Sequence, residues 1–466
     1  MQNLKIKRTV YAALAAVMLV SCAGQGPADP ENPEKKQEEP QKLVPISEDE
    51  WFTRIEDPQT KVVSYLFKNE VVLRDNVQSN YFVNPSMTDD ERFIFFFVSN
   101  NEFKYPDPMV SGCIIDRQER KIHMVKNLGL SNYPYMDVEN DVFYYGIKLH
   151  KHEAYFYKRD LKADAGKEII LRPFPDVIFP SQEDNPLKRM CSHVTLTQDR
   201  RRVYLDARIN DDVHVGLYNL YPEDDATTGL TATKGWDEWL CVHNWGLDHG
   251  QLNPVRDDIA LEGTDDLTDA YGVTHKIPYS SGEPGIPDGT YMRMQIVGRG
   301  SIRTLLPEPE KNYATHEKWT ADGKSVYWCS NGVNIREVET GSFDKLYYGD
   351  KVTGQPAHCY LTKDLQYVVF DDNHIGDGSY RGCEWRVVFA KCKSGSTKED
   401  NARTVAIHSH IPAIATAAKP SNLHPDPHPQ FVCNDKYIIC TASQADGNMH
   451  LSITPVDQLK KMVDDE

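Results

Sequence analysis

An all-β fold is predicted by three features of this sequence. A turn residue followed by a short apolar strand recurs seven times, the copies are spaced like units of four short strands, and helical periodicity is confined to the last dozen residues. The copies are "TDDERFIFFFV" (88–98), "VENDVFYYG" (138–146), "TQDRRRVYLDA" (197–207), "VRDDIALEG" (255–263), "TADGKSVYWC" (320–329), "TKDLQYVVFDD" (362–372) and "VCNDKYIICTA" (432–442). Their turn residues are Asp90, Asn140, Asp199, Asp257, Asp322, Asp364 and Asn434, separated by 50, 59, 58, 65, 42 and 70 residues. Four short strands with their turns need about 40–50 residues, so the fold expected is a seven-bladed β-propeller with loop insertions in the wider gaps. A pair of β-sandwiches would also read as short strands between turns, but would not repeat one turn-then-strand unit seven times. The early strand "KVVSYLF" (61–67) is expected to complete the last blade beside "MHLSITPV" (449–456).

Upstream of the repeats, Lys5, Lys7 and Arg8 precede an apolar run, Val10–Val20, that is too short to span a bilayer as a mature helix. "LVSC" (19–22) follows and resembles a bacterial lipobox. Residues 1–21 are therefore expected to be a lipoprotein signal peptide, and Cys22 the lipidated residue. Residues 22–48, rich in Pro, Glu, Gln and Lys, are expected to form a solvated tether, and 49–466 the propeller. The expected location is the cell envelope, at the periplasmic face or outer membrane, with membrane contact through the lipid alone.

Charged residues make up 26% and apolar residues 40% of the chain, which sustains a packed core. The net charge of −17 argues against nucleic acid as a partner and requires any anionic substrate to find a locally basic site. Nine cysteines follow Cys22 without a CxxC pair, and most are expected to be buried thiols, Cys241, Cys329 and Cys440 among them.

The turn residues locate a second pattern. Six positions before Asp199, Asp322, Asp364 and Asn434 stand His193, His316, His358 and His428. The fourth unit offers His249, two residues out of step, and the first two give Asn84 and Pro134. Sixteen histidines in 466 residues would put well under one at seven chosen positions. In a propeller, equivalent positions are related by rotation about the central axis, so these imidazoles are expected to converge at one end of the channel. Converging imidazoles bind a transition metal or move protons. "HPDPHPQF" adds His424, Asp426 and His428 at alternate positions, which share a face of an extended segment stiffened by proline. With His358 they form a candidate nitrogen and oxygen site for a divalent ion.

The stretch "YMRMQIVGRGSIRTLLPEPEKNYATHEKWTADGKSVYWC" (291–329) resembles the oligogalacturonate lyases, which carry an arginine-Met segment, a Thr-His-Glu-x-Trp block and an Asp-Gly turn. "NYF" (80–82), "HGQLNPVRDDIALEG" (249–263), "PAHCYLTKDLQYVVFDD" (356–372) and "DPHPQF" (426–431) follow the family's order. The resemblance implies a seven-bladed propeller, His316 as catalytic base, Arg293 as substrate-binding arginine, and His358 and His428 as ligands of a Mn²⁺-like ion. Where the family reads His-Pro-His-Pro, this chain has Asp426-Pro427-His428-Pro429. The family's glutamine ligand falls near Leu423, so His424 is the donor expected to compensate.

The reaction implied is β-elimination on a uronic acid, with His249 and His193 in a second line of substrate-binding pocket residues and Tyr81 as an apolar wall. Trp319 reads more simply as core. The altered ligand set leaves three readings open. They are a lyase for oligogalacturonate-like chains, a lyase for glucuronate-containing glycans such as ulvan-like or rhamnose–glucuronate polymers, and a TolB-like propeller that binds glycan or protein without catalysis.

Overall fold

A computed structural model describes residues 42–464 except 101–108, 130–132, 150–152, 175–192, 210–211, 228–234, 244–247, 264–293, 306–314, 330, 350–355, 376–383, 401 and 414–425. The signal peptide, Cys22, Arg293 and His424 lie outside the described residues.

Seven antiparallel blades form a β-propeller. Along the chain, the inner strands are Asn76–Ser79, Tyr135–Asp137, a bridge at Leu196, Asp248–Leu252, Thr315–Trp319, Cys359–Leu361 and Gln430–Val432. Each of the seven turn residues lies between the inner strand of a blade and its second strand. The seventh blade closes the ring as the sequence predicts: Val63–Phe67 pairs with Met449–Pro455, Tyr65 opposite Ile453 and Leu66 opposite Ser452. Phe52–Glu56 adds a fifth strand outside it. The helix expected at the end of the chain spans Val456–Asp464.

The repeated turn has a chemical cause. In "TDD", "TQD", "TAD" and "TKD" the threonine hydroxyl donates to the aspartate two residues on, at 2.7, 2.6, 2.7 and 2.6 Å. The same hydroxyl accepts the amide that starts the second strand, from Phe93, Arg202, Ser325 and Tyr367. Each aspartate also accepts the backbone N–H two residues further, as Asx turns do. The aspartates thus build hairpins.

Second strands read as unbroken apolar runs because both of their faces are covered. In Phe93–Ser99, Phe93, Phe95 and Phe97 pack toward the second blade, while Ile94, Phe96 and Val98 pack toward the seventh. Adjacent blades meet in seven such clusters, one per junction. Each phenylalanine buried there contributes about 1.5–3 kcal/mol. The core also reaches into the expected tether: Ile46 is buried, and Val44 O accepts the Arg117 guanidinium.

Five of the seven described cysteines are buried thiols, Cys329 and Cys440 among them. Cys241 departs from expectation and is exposed, because strand alternation turns it off the blade junction while Leu240 packs there.

Candidate active site

The inner strand of the first blade stops at Ser79, and the residues after it turn into the channel. Asn80 anchors them, donating to Pro134 O at 3.0 Å. Asn84 donates to Tyr133 O, Pro134 O and Val194 O at 3.1, 2.9 and 3.2 Å. The two blades without a histidine are thus tied to each other by the residues that stand in its place. Between the anchors, Tyr81, Phe82 and Val83 form a small apolar cluster on the axis.

Against this plug the five histidines form an arc. Ring centroids of His193 and His249 are 5.9 Å apart, of His249 and His316 6.0 Å, of His316 and His358 3.9 Å, and of His358 and His428 4.3 Å. Tyr81 lies within the arc, 5.2 Å from His193, 6.0 Å from His249, 5.9 Å from His358 and 4.8 Å from His428. The structure therefore brings together every described histidine that the six-residue offset, or its near miss, singles out.

Backbone strain helps to aim them. His249, His316 and His428 have φ of 60°, 56° and 46°, in the left-handed region that side chains other than glycine rarely adopt. Strand register slips between Asp248 and Gln251 and between Thr315 and Lys318, so His249 and His316 sit in bulges. A bulge redirects a side chain, and strain of this kind concentrates at functional sites.

Hydrogen bonds set the ring nitrogens. His316 Nδ1 lies 2.5 Å from Ala357 O; a carbonyl only accepts, so Nδ1 carries the proton and Nε2 of the neutral ring keeps its lone pair. The residue is buried, at 8% exposure. His358 Nδ1–H donates to Asp371 Oδ2 at 2.9 Å, turning Nε2 the other way. Asp371 also accepts the backbone N–H of His358 at 2.7 Å and of His428 at 3.1 Å, so one carboxylate fixes both histidines. Burial pushes the Asp371 carboxyl above its usual range, and His358 pulls it back.

His358, Asp426 and His428 each offer a ligand atom within 4.8 Å of the others, all three buried. Asp426 Oδ2 is 3.9 Å from His428 Nε2. Two nitrogens with one carboxylate oxygen suit a borderline-hard divalent ion. Asp371 supplies the outer carboxylate that commonly orients a ligating histidine. Were an ion held by these three described residues, they alone would not fill its coordination shell.

The fold is that of oligogalacturonate lyase structures. An oligogalacturonate lyase in complex with manganese superposes with a TM-score of 0.56 at 14% identity, over 87% of this chain and 96% of that one. An oligogalacturonate lyase from Vibrio parahaemolyticus superposes with a TM-score of 0.58 at 15% identity, again over 87% and 96%. TolB from Acinetobacter baumannii gives a TM-score of 0.36 at 14% identity, over 68% of this chain and 64% of that one. No protein-family model and no curated protein sequence matches the chain.

Several residues of the site escaped the sequence reading. Glu317, next to His316, is buried in the site, with Oε1 3.5 Å from His249 Nδ1 of the preceding blade. Asp206 and Glu262 stand behind Gly250, where a Cβ would come within 2.7 Å of Glu262 Oε1 and 3.0 Å of Asp206 Oδ2. A signal for them exists: Asp206, Glu262 and Asp371 each follow a ring histidine by thirteen residues, the path through one turn to the facing point of the second strand. Trp319 is buried in the core and donates to Gln251 O.

Proposed function

We propose that the chain is a metal-assisted polysaccharide lyase that cleaves uronic-acid oligosaccharides, oligogalacturonate-like ones first, by β-elimination. One observation carries the reading: the proton-accepting edge of His316 stands beside a buried His–Asp–His donor set, with the His316 and His358 rings 3.9 Å apart. An isolated histidine would do neither task; the juxtaposition serves a reaction in which a proton is removed next to a carboxylate.

His358, Asp426 and His428 are the residues proposed to hold a divalent ion, Mn²⁺ first, with His424 as an added donor. When bound, such an ion neutralises the uronate carboxylate and the charge that grows on it. His316 Nε2 takes the proton from the carbon beside that carboxylate. The electron pair released forms the ring double bond as the neighbouring carbon–oxygen bond breaks, and the departing glycosidic oxygen takes a proton. His249, buttressed by Glu317, and His193 are assigned to that leaving-group side. Arg293 is assigned to the substrate carboxylate, and Tyr81 to the wall of the subsite. Lipidation at Cys22 would hold the enzyme at the cell envelope.

The replacement of a family histidine by Asp426 leaves a second substrate class open, glucuronate-containing chains. Absorbance of the conjugated product, followed over a panel of uronides with and without chelator, tests both. Chelator-sensitive growth on galacturonate oligomers supports the first class, and growth on glucuronate polymers alone supports the second. Absence of the band on every uronide, in metal-loaded protein, refutes the proposal and favours a binding propeller. In the active protein, His316→Ala is expected to lower turnover by at least about a hundredfold with metal content unchanged.

A further inference from the structure

The channel has a second mouth. The histidines lie where inner strands begin, whereas the seven hairpin turns ring the opposite end. Between the two stands the Tyr81–Val83 plug, and on its turn side opens a cavity of about 550 Å³. That volume falls within the range of small-molecule sites. Val83, Thr195, Gln251, Lys318 and Tyr360 are among its lining residues.

Lys318 sits on the same inner strand as His316, two residues further along. Its Nζ donates to Val83 O at 2.6 Å and lies 4.7 Å from the centre of the Tyr360 ring. Among the described residues, no carboxylate forms an ion pair with this amine, and burial lowers its pKa to about 7. The charged groups nearer the rim are Asp89, Glu139, Arg200, Lys363 and Asp435. Arg200 is committed to Asp137 and Glu139, and Asp435 accepts the backbone N–H of Lys363. A half-buried cation at a cavity wall, whose partners among the described residues are a carbonyl and a ring, is stabilised by an anion that enters the cavity.

We propose that the turn end of the channel is a second ligand site, separate from the histidines, for a small organic acid up to a disaccharide in size, its carboxylate held by Lys318 beside Tyr360.

The test reads Lys318 itself. Full-length protein is labelled with trinitrobenzenesulfonate near neutral pH, and peptide mapping follows the rate at Lys318. At about ten times their dissociation constants, galacturonate and glucuronate are expected to slow that rate about tenfold, while uncharged galactose does not. The protection is expected to persist in His358→Ala, which disables the other mouth, and a chain without lyase activity would give the same result. In calorimetry, Lys318→Met is expected to lose this binding and Lys318→Arg to retain it. Labelling that no acid slows, protection by galactose equal to that by the acids, or protection that disappears in His358→Ala overturns the proposal. Because protection is measured in protein with Lys318 intact, misfolding of a lysine variant does not blunt the test.

Discussion

Asp371 is the residue on which the donor set turns. Its carboxylate receives three N–H groups from two histidines, and it has no exposed surface. Asp371→Asn preserves shape but replaces one acceptor oxygen with an NH₂ group. An amide facing His358 Nδ1 favours the other tautomer, which puts a proton on Nε2 where a metal must bind. Metal affinity is therefore expected to fall by about 10–100-fold, together with about 1–3 kcal/mol of stability, because Oδ2 also accepts the His428 backbone N–H. Elemental analysis after dialysis against a graded metal buffer measures it; full occupancy at wild-type metal concentration would contradict the assignment. At this scale the histidines were legible and their partners were not. His316, His358 and His428 stand at one fixed distance from polar turn residues that a reader can align. Asp371 and Glu262 become neighbours of the ring only after each hairpin folds back, and Glu317, which reaches His249, sits in the same register shift as His316. Nothing in a run of residues announces a bulge at a histidine.

At the scale of elements, the Thr-x-Asp hairpin is the recurring device, and its worth can be measured away from the site. Thr320→Val keeps the shape while deleting the hydroxyl that links Asp322 to the Ser325 amide. Loss of about 1–2 kcal/mol is expected, read from chemical denaturation, with metal binding unaffected. A second element is held by a neutral histidine. His408, on Thr404–Ile411 of the sixth blade, is buried at the junction with the seventh and contacts Ser452 Oγ at 2.9 Å. Burial lowers its pKa to about 4, against 6.5 for an ordinary histidine, with Asp57 opposing. The folded state therefore resists a proton that the unfolded chain accepts. This contribution is complete above pH about 6.5, shrinks as pH falls toward 4, and changes no further below that. Between pH 7 and pH 5 the wild type is expected to lose about 2 kcal/mol more than His408→Gln, since the carboxylates common to both cancel in the comparison. Equal slopes for the two proteins would show that His408 is not kept neutral. The seven hairpins were legible because turn chemistry is local; the Asn80–Asn84 plug was not, because it interrupts the first inner strand and belongs to no repeat.

The whole molecule depends on closing its ring, and the closure joins the two ends of the described chain. Val63–Phe67 supplies the outer partner of Met449–Pro455, Ser64 Oγ meets Thr454 Oγ1 at 2.7 Å, and Gln458 both gives and takes a hydrogen bond with the Val63 backbone. Residues 42–67 bury Ile46, Phe52, Val62, Leu66 and Phe67 in the junctions on either side of the seventh blade. Five such side chains are worth roughly 7–15 kcal/mol, the order of a whole domain's stability. The same segment carries Asp49, whose carboxylate pairs at 3.0 Å with the fully buried Arg117. Replacing Asp49 alone, with the segment in place, would leave that guanidinium buried without a counter-charge, at a cost of about 3–5 kcal/mol. A chain that starts at Lys42 is thus expected to melt cooperatively near the midpoint of the longer protein. A chain that starts at Asn69 is expected to lose the cooperative transition, leaving the edge of Met449–Pro455 open to pairing with other chains. The histidine arc would go with it: His428 is on the blade that loses its outer strands, and His358 shares Asp371 with it. Cooperative melting and intact metal binding in the chain that starts at Asn69 would mean that the inner strands alone hold the ring, and that the closing strand only shields it.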